Sequence, residues 1–110
     1  MVRNITQPDQ ATVITAPVQL HQQALEALDH QIVQALLRRP AALALDCAEV
    51  QTVDSASLNW MLAVQNRVTL QNITFSIRNA SPLLRDVFKA TRLDKKLKLG
   101  DANSLELAHA

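Results

Sequence analysis

The sequence predicts a single α/β domain in which a mixed sheet of four to five strands is packed by α-helices mainly on one face. Segments with the pattern of strands alternate along the chain with segments that have helical spacing. Hydrophobic residues make up 48% and charged residues 19% of the 110 residues, a composition typical of one globular core. No linker or internal repeat divides the chain, so we expect one domain over residues 1–110.

The first half of the chain predicts a strand, a helix and a second strand. The apolar run ATVITAP is rich in β-branched residues and stops at Pro17, and an extra strand fits at the start of the chain. A helix is predicted over Leu20–Arg38, where Pro40 follows and prevents its continuation. Its apolar face consists of Leu25, Leu28, Ile32 and Leu36. The continuous apolar run AALALD then predicts a central strand that ends at Asp46.

The second half predicts two more helices around a third strand. A helix is predicted over Ser55–Leu70, and NITFSI has the β-branched and aromatic residues of a strand. Ser81 and Pro82 form a strong start signal, because serine caps helices and proline suits the first helical position. They predict a helix over Pro82–Ala90, and Ser104 is expected to cap a short last helix, LELAHA.

Composition and spacing exclude several classes of protein. A net charge of +1 and 3% aromatic residues supply neither the basic surface nor the stacking platform of a nucleic-acid-binding domain. The single glycine excludes a glycine-rich phosphate loop, and the histidines lack the spacing of metal ligands, so no cofactor is predicted. The lone Cys47 suits a reducing compartment. Without a signal-peptide pattern or a long apolar run, we expect a cytoplasmic protein with no direct membrane insertion.

The stretch VDSASLNWML places Asp54 and Ser55 directly before an apolar helical run. The simplest explanation is capping, in which one of these side chains accepts hydrogen bonds from the free N–H groups of the first turn. Capping is compatible with a second role. A serine at a helix start is exposed, and a phosphoryl group placed there meets the positive end of the helix dipole and its N–H donors.

A helical projection divides the residues after Asp54 into two faces. The predicted core face consists of Ser57, Met61, Val64 and Val68. The opposite face consists of Ser55, Asn59, Leu62, Ala63 and Asn66. A leucine among small polar side chains, beside an exposed serine, is a candidate docking surface. We therefore predict that Asn59, Leu62 and Asn66 contact a partner.

Three other groups of residues give weaker signals. Cys47 and a histidine would form a thiol–imidazole pair, but Cys47 follows a buried strand and has no activating neighbour, which favours a structural cysteine. Asp46 and Asp54 are both expected at the strand-terminal edge of the sheet, where ligands of α/β folds bind. Two carboxylates alone indicate neither a hydrolase nor a metal site. The basic cluster near the C-terminus is expected to be a solvated face; it consists of Arg92, Lys95, Lys96 and Lys98.

These segments resemble the STAS domains, the family of bacterial anti-anti-sigma factors and related regulatory modules. LALDCAEVQTVDSASLNWML is similar to the family's central motif, in which a strand ending in Asp is followed by a loop and by Asp-Ser-small-Gly-Leu opening a helix. ITFSIRNASPLLRDVFKATRLDKKLKL is similar to the next strand, the third helix and the turn after it. Two glycines of the family pattern are absent: Ser57 stands for one, and Ala16-Pro17 for the other.

The resemblance implies roles for three residues and a choice of partners. Ser55 matches the serine that a cognate kinase phosphorylates, Asp54 its acidic neighbour, and Asp46 the acid that ends the preceding strand. The leading hypothesis is a non-catalytic phospho-switch, an anti-sigma factor antagonist that binds a serine kinase of the histidine-kinase-like ATPase fold and is reset by a phosphatase.

Other functions remain open alternatives. STAS proteins of similar size also serve as accessory subunits of lipid-transporting ABC complexes, in which the partner is the transporter ATPase (MlaB-like). A receiver-like phosphoacceptor using Asp46 is disfavoured, because the chain lacks the acidic pair and the lysine that a receiver requires. An enzyme acting through Cys47 is the remaining alternative. Neighbouring genes would discriminate between the first two.

Overall fold

The computed structural model describes residues 11–97 and residue 99, and it confirms an α/β fold. Five strands are present in this part of the chain: β1 (Ala11–Thr15), β2 (Gln19–Leu20), β3 (Ala42–Asp46), β4 (Thr52–Val53) and β5 (Thr74–Arg78). The helices are α1 (Gln22–Leu37), α2 (Ser55–Leu70) and α3 (Pro82–Ala90), and a short 3₁₀ helix covers Leu93–Lys95. The expected extra first strand, the last helix after Ser104, and Lys98 of the basic cluster lie outside the described residues.

The main sheet has the order β1-β3-β5, and each neighbouring pair is parallel. A mixed sheet was expected, but every strand pair among the described residues is parallel. The helical connections explain this difference, because parallel neighbours require long crossovers and α1 and α2 provide them. β3 occupies the centre, and its buried Leu43, Ala44 and Leu45 match the predicted central strand. A parallel bridge between Ile77 and Leu99 extends the sheet beyond β5.

One face of this sheet carries the hydrophobic core, as the sequence predicts. Ile14, Leu45 and Ile77 lie side by side in register, and all three belong to the core cluster that also contains the inner residues of α1, α2 and α3. The neighbouring row on the opposite face is not part of this cluster, and its Val13 is 44% exposed. The helices therefore pack mainly on one face.

The short pair β2–β4 brings the starts of two helices together. Its register places Leu20 opposite Val53 in parallel strands. Each of these residues is followed by one capping residue and then by a helix: His21 precedes α1, and Asp54 precedes α2. α1 and α2 therefore begin side by side. This pair also explains why α1 begins two residues after the predicted Leu20, since Leu20 lies in β2.

Turns in this nearly glycine-free chain use other residues in the left-handed region. Asn72 and Asn79 have φ values of 62° and 58°, a region that asparagine adopts more readily than most other residues with a side chain. Arg39 and Arg92 also have positive φ, at 50° and 64°. Arg39 immediately follows the C-cap of α1, at the position where a left-handed residue commonly ends a helix. None of the helices in the described part of the chain is long and apolar enough to cross a membrane.

Candidate functional site

Asp54 caps two helices with one carboxylate. Its Oδ1 accepts a hydrogen bond from the backbone N–H of Ser57 at 2.8 Å, which caps α2. Its Oδ2 accepts a hydrogen bond from the backbone N–H of Gln22 at 3.0 Å, in the first turn of α1. The local N-cap residue of α1, His21, provides no side-chain cap. Asp54, which lies 32 positions after Gln22 in the sequence, therefore caps α1 in place of His21 and fixes the two helix starts relative to each other.

Ser57 completes the cap from inside the core. Its hydroxyl accepts a hydrogen bond from the Asp54 backbone N–H at 3.1 Å and donates one to the Asp54 carbonyl at 2.8 Å. This is a capping box with serine in the position where glutamate or glutamine is usual. Ser57 is fully buried, and both hydrogen bonds of its hydroxyl are local. The fold therefore accommodates a serine at the position where the STAS motif has a glycine.

The hydrogen bonds lower the pKa of the Asp54 carboxyl below its ordinary value. The largest cause is the N–H of Ser57, followed by the N–H of Gln22, and the nearby His21 acts in the same direction. Because the folded pKa is lower than the unfolded one, the cap stabilises the fold fully at pH values above the unfolded pKa. That contribution is lost as the pH falls through the folded pKa. Asp54 is therefore an anion at neutral pH.

Ser55 is the first residue of α2 and its side chain is exposed. Its hydroxyl makes no hydrogen bond to another described residue, because Asp54 and Ser57 carry out the capping. The sequence left open which of Asp54 and Ser55 is the cap, and the structure assigns this role to Asp54. Ser55 therefore presents a free hydroxyl next to a carboxylate that is already engaged.

The predicted faces of α2 are largely present, with one correction. Met61, Val64, Val68 and Ser57 are buried, as predicted for the core face. Asn59, Ala63 and Asn66 are exposed, as predicted for the opposite face. Leu62 was expected among the solvent-facing residues, but it is only partly exposed and packs against the core cluster. The surface formed by Ser55, Asn59 and Asn66, called the α2 polar stripe below, is therefore small and uncharged, with Leu62 at its inner edge.

A second polar link between the two helix starts is missed by the sequence analysis. His21 Nε2 lies 2.9 Å from the hydroxyl of Thr52 in β4. The two residues are 31 positions apart, and only the register of the two-residue pair β2–β4 brings them together. No local pattern in the sequence indicates this pairing.

Comparison of the sequence with known protein families gives a match. A family model described as "Mlab, STAS domain" matches residues 4–101. The chain belongs to the STAS domain family. The match includes the whole described fold and the segment from Asp46 to Ser57 that carries the resemblance. No curated protein gives a significant match to the chain. STAS domains are generally non-catalytic.

Asp46 of this STAS domain holds a turn at the carboxyl end of β3. Its Oδ1 accepts hydrogen bonds from the Ala48 backbone N–H at 2.9 Å and from the Asn79 side-chain amide at 3.1 Å. The first is the local pattern of an Asx turn, and the second ties the loop after β3 to the loop after β5. None of its hydrogen bonds connects it with Asp54 or Ser55. Asp46 therefore supports the loops of the sheet edge, separately from the paired helix starts.

Cys47 lies in the core of the STAS domain and is not activated. It is fully buried, and burial raises the pKa of its thiol to about 12, with the charge of Asp46 acting in the same direction. A thiol needs a lowered pKa to be a nucleophile near neutral pH. The structural role predicted for Cys47 is therefore supported, and the alternative of an enzyme acting through it is not. In the predicted basic cluster, Arg92, Lys95 and Lys96 are exposed, as expected for a solvated face.

Two substitutions of Asp54 are expected to separate its two caps. Asp54→Asn keeps one carbonyl oxygen, which can still cap α2 since asparagine is a good N-cap residue, but its NH₂ group cannot accept from Gln22. We therefore expect faster hydrogen exchange at the Gln22 amide, on the order of tenfold, with little change at Ser57. Asp54→Ala is expected to speed exchange at both amides. Amide exchange followed by NMR measures the two sites together.

The matched control is Ser81→Ala, which removes the cap of α3, where the Ser81 hydroxyl accepts from the Leu84 N–H at 3.1 Å. It should accelerate exchange at Leu84 and leave Gln22 and Ser57 unchanged. Equal protection of Gln22 in the native protein and in both Asp54 variants would show that Asp54 does not cap α1.

Proposed function

We propose that this STAS domain is a non-catalytic accessory subunit that binds the ATPase of a lipid-transporting ABC complex through the α2 polar stripe. The observation that carries the proposal is the start of α2. There the exposed Ser55 and Asn59 stand on a helix whose first turn is fixed by Asp54 and Ser57. The choice of partner is supported by the matching family model, whose description names MlaB.

The stripe has the physical properties of a protein-binding surface. Its hydroxyl and amide groups supply donors and acceptors without a net charge, so they lose less hydration free energy than charged groups would when a partner covers them. The capping network restricts the start of α2 before binding, and less conformational entropy is lost when a complex forms. Two side chains of a type that can act in catalysis lie outside the stripe. Cys47 is buried in the core, and His21 is hydrogen-bonded to Thr52.

Control by phosphorylation of Ser55 is a second candidate function, in which the domain acts as an anti-sigma factor antagonist. The specific observation in its favour is the free, exposed hydroxyl of Ser55 in the first turn of α2. A phosphate there adds about −1.5 to −2 charge at neutral pH and meets the positive end of the helix dipole. The ionised Asp54 beside it opposes the modification. The fold would tolerate the group, whereas an apolar or acidic partner surface would not.

The partners of this second candidate are a serine kinase of the histidine-kinase-like ATPase fold and a cognate phosphatase. Incubation with ATP and a kinase encoded next to this gene, followed by mass mapping, tests it directly. Phosphate on Ser55 that abolishes binding to the kinase supports the switch. Phosphate on another residue, or no modification of the native protein, argues against it.

The accessory-subunit proposal predicts that changes in the stripe weaken binding without unfolding the domain. Asn59→Lys and Ser55→Glu are each expected to reduce affinity for the transporter ATPase at least about tenfold, because they place a charge in the centre of the contact. The measurement is the dissociation constant of the purified pair, by calorimetry or by fluorescence anisotropy. The ATPase used is the one encoded beside this gene.

Gln34→Lys is the matched control for Asn59→Lys, since it adds the same charge to an exposed position on α1 instead of α2. It should bind as the native protein does. If the stripe variants and Gln34→Lys bind the ATPase equally well, the stripe is not the contact surface. If the native protein binds no ATPase but binds a serine kinase, the second candidate replaces the first.

A further inference from the structure

The ends of α1 and α2 form a second distinct surface. The two helices begin side by side at Asp54, and Asp29 of α1 accepts hydrogen bonds from Trp60 and Arg67 of α2, at 3.3 Å and 2.9 Å. They therefore run in the same direction, and their C-terminal ends meet at the opposite end of the helix layer. A helix of 16 residues separates these ends from Ser55 by roughly 20 Å.

Apolar side chains are concentrated at this end. Val33 is 41% exposed, Leu37 is 73% exposed and Leu70 is 85% exposed. Six large hydrophobic side chains are exposed in the described part of the chain, and these are three of them, so they are not scattered evenly over the surface. Isolated exposed leucines need no explanation, but a cluster of them marks an interaction site.

A groove of about 320 Å³ lies within this cluster, called the helix-end groove here. It is lined by Val33, Leu36, Leu37, Arg39, Arg67 and Gln71. Its apolar lining residues belong to α1, and the other three lining residues are polar or charged. A concave surface of this kind accepts a side chain from a partner, in contrast to the flat contact that a bilayer makes.

The charged residues that line the groove are positive. Arg39 and Arg67 line it, Arg38 is the C-cap of α1 beside it, and no acidic residue is among the lining residues. Arg67 pairs with Asp29, whereas Arg38 and Arg39 form no ion pair with any described residue. Asp29 also holds the Arg67 guanidinium in one place. A carboxylate that approaches these arginines would gain charge-assisted hydrogen bonds in a fork geometry.

We infer that the helix-end groove binds an acidic amphipathic helix of a partner protein. The apolar side of that helix packs against Val33 and Leu37, and an Asp or Glu on its flank pairs with Arg39. This is the helix-in-groove mode, in which one apolar face supplies affinity and the flanking charges set the orientation. An anionic membrane would contact the protruding Leu37 and Leu70 and leave the groove unfilled. Ser55 lies at the opposite end of α2 from the groove, so this partner would not contact Ser55.

A synthetic helix tests the inference without knowledge of the natural partner. The probe is an amphipathic peptide of about fifteen residues, with leucines on one face and glutamates beside them. In NMR titrations of the whole domain, it is expected to shift the amide signals of Val33, Leu37, Arg39 and Gln71. The same peptide with lysines in place of the glutamates is expected to bind at least about tenfold more weakly. Raising the salt concentration should weaken binding of the acidic peptide, because salt screens its attraction to the arginines.

Variants on each side of the groove then assign the contacts. Leu37→Glu and Arg39→Glu should each lower the affinity for the acidic peptide at least about tenfold. Arg39→Glu should also raise the affinity for the lysine peptide. Leu83→Glu is the matched control, because Leu83 is an equally prominent leucine on α3, at 64% exposure. It should bind the acidic peptide as the native domain does.

Several outcomes would overturn the inference. Equal binding of the acidic and basic peptides would show that the groove does not select its partner by charge. Shifts outside the groove would show that the peptide binds elsewhere. Binding of phosphatidylglycerol vesicles through Leu37 and Leu70, with no response to the peptide, would assign the surface to a membrane. Shifts at the groove that grow with protein concentration alone would assign it to a second copy of this chain. Failure of the stripe variants to affect the transporter ATPase would leave this result unchanged.

Discussion

Replacing Phe88 with alanine is expected to lower the free energy of unfolding by about 3–5 kcal/mol. Phe88 is fully buried and lies on the inner face of α3, one turn after the buried Leu84. Its removal leaves a cavity between α3 and the rest of the core, and the surrounding side chains relax only partly into such a space. Urea denaturation followed by circular dichroism measures the change. α3 has just nine residues, so its attachment depends on these two side chains more than on its own helix propensity.

Lys89→Ala is the control for Phe88→Ala, because Lys89 is the next residue and is exposed. Its effect should stay within about ±0.5 kcal/mol. Similar losses of stability for the two variants would mean that the inner face of α3 has been assigned to the wrong residues.

The sequence predicts α2 and α3 to the residue, since both helices start at local signals. Ser81 and Pro82 define the start of α3, and the structure shows the Ser81 hydroxyl in place as the cap. Asp54 does the same for α2, through the N–H of Ser57 three residues ahead. Such caps involve neighbours in the sequence, so a pattern of a few residues is enough to find them.

Long-range pairings were not predictable in the same way. β2 and β4 have two residues each, which is too short for any alternation of apolar and polar residues to be visible. The parallel direction of the sheet depends on how the crossovers pack and is not encoded within one strand. Two contacts of the candidate site were unpredictable for the same reason. The hydrogen bond from Gln22 to Asp54 and the contact between His21 and Thr52 both depend on the β2–β4 register.

The position of Leu62 shows a different limit of sequence analysis. A projection treats the helix as a cylinder with a buried side and a solvent side, and it places Leu62 opposite Met61 and Val64. In the folded domain Leu62 is only partly exposed and packs against the core cluster. The surrounding structure decides the burial of residues at the boundary between two faces. Residues at the centre of each face, Met61 and Asn59, were assigned correctly.

Substitutions of Met61 and Leu62 are therefore expected to lower the free energy of unfolding by different amounts, because Met61 is fully buried and Leu62 only partly. Met61 is fully buried, so Met61→Ala should cost about 2–5 kcal/mol of stability through lost burial and a cavity. Leu62→Glu should cost on the order of 1 kcal/mol, because the glutamate must leave the partly buried position and expose apolar surface. Asn66→Glu, on the exposed stripe, should change stability by no more than about ±0.5 kcal/mol. Urea melts of the three variants give these values on one scale.

Binding measurements on the same variants separate a stability effect from a contact. Under conditions where each variant is folded, Met61→Ala should keep its affinity for the ATPase partner, because Met61 cannot reach the surface. Leu62→Glu should lose at least about tenfold if Leu62 forms the apolar edge of the α2 polar stripe, since a charge there would be desolvated without a partner. A loss of affinity in Met61→Ala as large as in Leu62→Glu would mean that binding depends on the rigidity of α2 as a whole. The assignment of the stripe as the contact surface would then be wrong.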